Sequence, residues 1–268
     1  MSARTLDGPV TGLPTVTLDE LQARACLQTR VDRKYVVPDA VVDDLLTDLR
    51  DGCEAARVLR IDGREVFAYE SVYFDTPDLT CYLGAAHRRR RRFKVRTRTY
   101  LDSGACFAEV KTRGPRGSTV KTRAPYDRDL RDRLTPEALA FARAVLDAAA
   151  VPHPDDPRYA PTLVTRYHRR TFLLPGPHAA DSRLTVDTHL IWTAARGSAL
   201  RLDGLSVVET KTGATPSGAD RLLWRRGHRP VRLSKYGTGM AATTPDLPCT
   251  PWRRVLDRHV TPALVPAE

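Results

Sequence analysis

Residues 93–100 read Phe-Lys-Val-Arg-Thr-Arg-Thr-Tyr. In an extended chain successive side chains point to opposite faces, so Lys94, Arg96, Arg98 and Tyr100 fall on one side. Phe93, Val95, Thr97 and Thr99 fall on the other. The same alternation recurs along the chain. Phe107, Glu109, Lys111 and Arg113 oppose Ala108 and Val110. Arg183, Thr185, Asp187 and His189 oppose Leu184, Val186 and Leu190. Val207, Glu209 and Lys211 oppose Val208 and Thr210, and Arg30, Asp32 and Lys34 share a face near the N-terminus. A solvated sheet face is the plain alternative. Such a face mixes signs and carries Thr, Ser and Gln, whereas this one is mainly cationic. Its acids stand two positions from a lysine: Asp32–Lys34, Glu109–Lys111 and Glu209–Lys211. An enclosed cationic face repels itself unless a polyanion fills it. A carboxylate can approach phosphates only across a divalent cation, and Mg²⁺ or Mn²⁺ binds through one or two carboxylates plus substrate phosphates. The pattern therefore describes metal–triphosphate chemistry. No GxxxxGK[ST] loop is present, which excludes a P-loop protein.

Arg88–Arg92 lead into the first of these strands without alternation. Arg90 and Arg92 are expected to extend its inner face and Arg89 and Arg91 to meet solvent, an electrostatic entrance for a polyanion.

The elements that must position these groups follow from local signals. Thr17 and Glu20 form a capping box ahead of a short helix, and "DAVVDDLLTDLRDG" (39–52) has helical apolar spacing. Extended runs follow, with "YLGAAH" (82–87) read as a loop. A long helix begins after Thr135 with Pro136 in its first turn. After a Pro-rich link come "TLVTRYHRRTFLL", "SRLTVDTHLIW" and "SVVETKT", then the helix "GADRLLWRRG". The two halves echo one another, "AEVK" and then "VETK", which suggests one closed sheet. The fold class expected is α+β: a closed antiparallel β-barrel with a polar, basic interior and flanking helices. Residues 1–16 are expected to be disordered, 17–240 to form a single domain, and 241–268 to be a tail with a short helix.

The chain has 43 Lys and Arg against 32 Asp and Glu, a formal charge of +11, which points to a polyanionic partner. Five scattered cysteines without CxxC spacing argue against zinc or a disulfide framework and for a reduced, cytoplasmic setting. No signal-peptide pattern and no membrane-spanning apolar run is expected. Aromatics are few and not interleaved with the cations for base stacking along a strand, so no nucleic acid is expected as partner.

The motifs "RVDRKYVV", "SVYFDTPDL", "FKVRTRTY", "FAEVKTR", "RYHRRTF", "RLTVDTHL", "VVETKT" and "RLSKYGTGM" occur in that order over residues 29–240. Together they resemble the signature of the VTC domain, the catalytic domain of polyphosphate polymerases and their bacterial relatives, within the triphosphate tunnel metalloenzymes. The resemblance implies a tunnel of antiparallel strands. It also implies transfer of the terminal phosphoryl group of ATP onto inorganic polyphosphate with Mn²⁺ or Mg²⁺. By motif position it makes Lys34, Lys94, Arg96, Arg98, Lys111, Arg169, Arg183, Lys211 and Lys235 phosphate ligands. Arg96, Arg98, Lys111, Arg169 and Glu209 become the catalytic set, with Glu209 and Glu109 on the metal. The wider superfamily opens with E-x-E-x-K where this chain has Arg30-x-Asp32-x-Lys34, so that strand is a weak metal site. A metal-dependent triphosphatase and a non-catalytic polyphosphate or nucleotide binder are the alternatives. His87, His168 and His189 read as surface or hydrogen-bonded residues, and Asp75 as a turn cap before Pro77. Tyr100, Tyr167 and Tyr236 read as packing or base-stacking rings, and Lys121 and Arg123 as further cations within reach of phosphate.

Overall fold

The computed structural model describes residues 10, 12–24, 31–52, 56–114, 119–155, 158–176 and 181–267. Arg30 and most of the segment expected to be disordered lie outside them. In chain order the elements are β1 (Thr15–Val16), α1 (Leu18–Arg24), β2 (Val31–Pro38), α2 (Asp39–Asp51), β3 (Arg57–Leu59) and β4 (Val66–Asp75). Next come α3 (Thr80–Ala86), β5 (Phe93–Tyr100), β6 (Cys106–Arg113), β7 (Thr119–Tyr126), α4 (Pro136–Ala148) and β8 (Ala160–Leu174). The chain ends with β9 (Ser182–Ala194), β10 (Ala199–Leu202), β11 (Leu205–Thr212), α5 (Gly218–Arg225), α6 (Lys235–Thr243) and β12 (Leu264–Pro266).

The fold is α+β with a large antiparallel sheet whose neighbours run β12-β10-β9-β8-β4-β5-β6-β7. β11 joins β9 to β2, and β3 pairs with β8 and, in parallel, with β1. The expected closure is corrected: no pairing among the described residues returns β7 to another strand. β7 has the chemistry of an edge, exposed along most of its length and carrying Lys121, Arg123 and Pro125. Thr15 and Val16, placed with the disordered segment by sequence, pair with Val58 and Leu59. "YLGAAH" lies in α3 rather than in a loop. The tail holds a short run of helical turns, Arg253–Val255, Leu256–Val260 and Thr261–Ala263, before β12.

Two compact units make up the chain. The first comprises Met1–Phe67, His168–Leu190 and Leu202–Val231, the second Ala68–Tyr167, Ile191–Arg201 and Arg232–Glu268. In the first, α2 lays Val42, Leu45, Leu46 and Leu49 at helical spacing onto the apolar faces of β2, β9 and β11. Those faces are Tyr35 and Val37, Leu184 and Val186, and Val208, with Ala219 and Leu223 of α5 completing the core. α5 starts with a capping box in which Ser217 and Asp220 bond reciprocally. The fully buried Asp220 also accepts the Tyr35 hydroxyl at 2.6 Å and the Thr210 hydroxyl at 2.7 Å, fastening α5 to β2 and β11. In the second unit β4, β5, β6 and β7 form a meander. Its apolar face, Phe93, Val95, Ala108 and Val110, is buried. α4 packs on β6 and β7, and its first turn is capped by the Thr135 hydroxyl.

Replacing Asp220 by Ala strands the donors of Tyr35, Thr210 and Ser217. It is expected to cost about 2–4 kcal/mol, more than Asp220→Asn, in urea unfolding. Equal stability of wild type and Asp220→Ala would refute this role.

Candidate functional site

In the second unit the register aligns three rows across the charged face. Tyr73, Arg96, Glu109 and Arg123 are cross-strand partners, as are Ser71, Arg98, Phe107 and Pro125, and Lys94, Lys111 and Lys121. On this face of β5, β6 and β7 Glu109 is the one acid among the described residues. Far from being solvated, the face is enclosed at its centre: Arg96 is 3% exposed and Glu109 is fully buried. Arg96 donates from Nε (2.8 Å) and Nη2 (2.5 Å) to Glu109 Oε2, and from Nη1 to the Tyr73 hydroxyl at 3.0 Å. Lys121 reaches Glu109 Oε1 at 3.5 Å. Burial by itself favours the protonated acid, yet Arg96, Arg98, Lys121 and Lys111 hold Glu109 far below the usual carboxylate range. Arg98 donates to the Ser71 and Tyr167 hydroxyls at 3.2 and 3.0 Å.

Lys111 makes no hydrogen bond or ion pair among the described residues and faces a lysine on either side. Burial, then the charges of Arg96 and Arg98, push its ammonium well below an ordinary lysine, against the pull of Glu109. Lys94 donates to Ser234 Oγ at 2.7 Å, and Lys235 lies 4.5 Å from the centre of the Tyr167 ring. Both partners depend on how α6 is seated. Ser234 caps α6 through Gly237 N–H, and Trp192 donates to the Lys235 carbonyl at 2.8 Å. A Cβ on Gly237 would run into Trp252, and one on Gly239 into Trp192. The "KYGTG" glycines let the helix lie directly against both indoles. The buried Asp75 accepts the Tyr236 hydroxyl at 2.6 Å and the N–H groups of Thr76, Cys81 and Tyr82, tying α6 to α3 and β4.

In the first unit the rows are Asp32–Lys211–Arg183, Lys34–Glu209–Thr185 and Val36–Val207–Asp187. Glu209 Oε1 accepts from Lys34 at 2.8 Å and pairs with Lys211 at 3.2 Å. Burial opposes its charge, but Lys34, Lys211 and Arg169 hold it well below the usual carboxylate range. Burial also pulls Lys34 down, and Glu209 more than restores it. For Lys211 burial prevails over Glu209 and Asp32. Arg169 grips Asp187 with two bonds, 2.6 and 2.8 Å, and Arg183 donates to the Leu21 carbonyl at 3.3 Å. His189, expected on this face, is exposed in left-handed backbone conformation (φ 51°), which breaks the alternation of β9, and its ring lies 5.4 Å from that of His168.

The two expected metal ligands differ in fitness. Glu109 is taken up by Arg96 and Lys121. Among the described residues the bonds to Glu209 fall on Oε1, and the buried hydroxyl of its cross-strand partner Thr185 has no hydrogen-bond partner, polar capacity that a hydrated cation or phosphate would use. No group of three or more His, Cys, Asp or Glu suited to a metal occurs among the described residues. Any cation here would take one protein carboxylate and fill its remaining positions from substrate and water.

The VTC domain family matches residues 29–244, most of the chain. The chain belongs to the VTC-domain family. The family is one of phosphoryl-transfer enzymes, a group that generally depends on divalent cations. Among curated proteins none matches the sequence. Solved structures with some likeness include a Hippeastrum protein described as an adenylyl cyclase with a dominant triphosphatase activity. It is 14% identical, with 80% of this chain and 96% of that one covered and a TM-score of 0.45. A Vibrio parahaemolyticus protein described as an adenylate cyclase is 14% identical, with coverages of 75% and 84% and a TM-score of 0.37. A conserved Pyrococcus furiosus protein is 12% identical, with coverages of 74% and 88% and a TM-score of 0.38. The family match carries the conclusion. Among the described residues no helix of this VTC-domain protein is long and apolar enough to cross a membrane.

Sequence reasoning left Lys121 and Arg123 open, and the register puts both on the face of Glu109. It did not single out Ser234 as a site residue, although a serine directly before a helical "KYGTGM" is an N-cap signal. The depressed carboxylates set an acid limit. Folded Glu109 and Glu209 refuse protons that the unfolded chain accepts below about pH 4.5, so their stabilisation is complete above that value and lost as pH falls through the folded pKa. The urea midpoint is expected to fall steeply from pH 5 to pH 3 (roughly the range set by the unfolded carboxylates), and less steeply in Glu109→Gln. Identical slopes in the two proteins would contradict the assignment.

Proposed function

We propose that this VTC-domain protein is a polyphosphate polymerase, transferring the terminal phosphoryl group of ATP to the end of an inorganic polyphosphate chain. The observation that carries this reading is the row Lys94–Lys111–Lys121, half-buried on β5 and β6 and open on β7, beside a carboxylate already committed to Arg96 and Lys121. Such a row is short of negative charge, and a chain of phosphates supplies it. Arg96, Arg98, Lys94, Lys111 and Lys235 act on phosphates in the second unit, with Lys121 added. Lys34, Arg169, Arg183 and Lys211 do so in the first. Glu109 orients Arg96 instead of binding metal. Glu209 is the residue that would hold Mg²⁺ or Mn²⁺, whose charge would offset that on the phosphate oxygens.

Phosphoryl transfer asks the protein mainly for position and charge neutralisation. The terminal oxygen of polyphosphate is already anionic, attacks the γ-phosphorus, and the bond to the β–γ bridging oxygen breaks to release ADP. Water as acceptor would need a base, and three acids of these faces are held in ion pairs: Glu109 by Arg96, Asp187 by Arg169, Glu209 by Lys34 and Lys211. That supports a phosphate acceptor over hydrolysis. Arg88–Arg91 are exposed and Arg92 half-buried in a turn fixed by Arg88 and Arg89 N–H bonds to the Ala85 and Gly84 carbonyls. All of the first four, not only Arg89 and Arg91, meet solvent and can draw in the chain.

Pure protein given ATP and Mn²⁺ is expected to make long-chain polyphosphate. Free phosphate without polymer would convert the reading to a triphosphatase, and absence of ATP turnover to a binder. Glu209→Gln is expected to lose about 100-fold or more in turnover while keeping the wild-type circular dichroism. Full activity in that variant would remove Glu209 from the metal role.

A further inference from the structure

Along β5 the charged face changes character: Lys94, Arg96 and Arg98 are followed by Tyr100. Tyr100 is the cross-strand partner of Tyr69, and Phe107 that of Arg98, so all three rings stand on the face of the cations, not on the apolar face with Val95 and Val110. Together with Tyr167 they form a continuous ladder. Tyr167 and Tyr69 stack at 5.3 Å and 2°, Tyr69 and Tyr100 tilt at 5.0 Å, and Tyr100 meets Phe107 edge-on at 6.0 Å. Guanidinium groups lie over two of the rings, Arg98 5.6 Å from Tyr69 and Arg123 4.5 Å from Phe107. Rings that served only to pack a core would be covered. Here Tyr167 is buried, while Tyr69, Tyr100 and Phe107 keep part of their surface open and Arg123 is exposed above them.

A nucleoside triphosphate has the same order along its length, a phosphate tail and then a planar heterocycle. We infer that Tyr100, with Phe107 standing edge-on beside it and Arg123 over Phe107, forms the stacking platform for the base of the nucleotide donor, with its triphosphate running back along β5 toward Lys94 and Lys111. The inference rests on the reading above for the cations as phosphate ligands. It gives the second unit a direction: the nucleoside lies at the Tyr100 end of β5, and the inorganic chain meets the Arg88–Arg92 end. Stacking accepts any base, because every base has a π-face, so the platform selects nucleotides over inorganic phosphates without selecting among bases. Arg123 already lies 4.5 Å over Phe107, a cation whose guanidinium plane can meet the edge of a base stacked beside it.

The test compares equilibrium binding of ATP and of inorganic triphosphate by calorimetry in wild type, Tyr100→Leu, Phe107→Leu and Tyr100→Phe. The leucine variants are expected to lose roughly tenfold or more in ATP affinity, with triphosphate affinity changed less than about twofold. Tyr100→Phe, which keeps the ring, is expected to bind ATP like wild type. Equal loss for both ligands, as a structural role would give, or no loss for ATP, overturns the platform. Should wild type bind ATP but not triphosphate, with the leucine variants losing ATP, the platform stands and the polyphosphate reading falls. A wild type that binds neither overturns both.

Discussion

On β6, Lys111 has Lys94 opposite it on one neighbouring strand and Lys121 on the other. Like charges directly across a sheet repel, and burial makes the repulsion harder to screen. The fold accepts this arrangement because the next row contains the remedy in part: Arg96 and Glu109, cross-strand partners, joined by two bonds in a buried setting. The remedy is incomplete. Glu109 neutralises Arg96 and leans toward Lys121, and Lys111 is left half-buried, with its ammonium pushed well below an ordinary lysine by burial and by Arg96 and Arg98. Much of the rest of the molecule follows from having to keep these side chains in place against their own repulsion.

Position comes from the opposite side of each strand and from α6. The apolar faces of β5 and β6 are buried, so the strands cannot rotate or slip by one residue without turning Val95 and Val110 toward the cations. α6 brings Ser234 and Lys235 to that face because two glycines admit Trp252 and Trp192, and because Asp75 anchors Tyr236 from beneath. In the first unit the same logic fixes Glu209, whose neighbours Val208 and Thr210 are both fully buried, Thr210 bonding the Asp220 carboxylate that Tyr35 shares.

How much of this was legible in the sequence depends on the range of the interaction. Alternation is local, and it placed Lys94, Arg96, Arg98, Glu109, Lys111, Glu209 and Lys211 on the faces where the structure has them. Capping chemistry is local too, and Thr17 with Glu20, and Thr135 before Pro136, behave as their motifs require. What escaped was non-local. α3 is seven residues long with a glycine, too short to hold alone, and forms because Asp75 accepts two of its N–H groups. α6 has two glycines that argue against a helix, and forms because two indoles pack onto them. The left-handed turn of the backbone at His189 and the open edge at β7 depend on tertiary pairing, which no pattern within one strand encodes. Glu109 looked like a metal ligand because an acid between cations has two uses. The register, invisible in sequence, gives it to Arg96.

The central claim is that the enclosed cations are a standing cost in the free protein that a polyanion removes. Thermal unfolding at neutral pH, with and without inorganic triphosphate, tests it directly in wild type and Lys111→Met. The account predicts that triphosphate raises the wild-type midpoint and that salt weakens the effect. It also predicts that Lys111→Met is more stable than wild type without ligand and responds less to triphosphate. A free Lys111→Met protein less stable than wild type, or a wild-type midpoint indifferent to triphosphate, would contradict it.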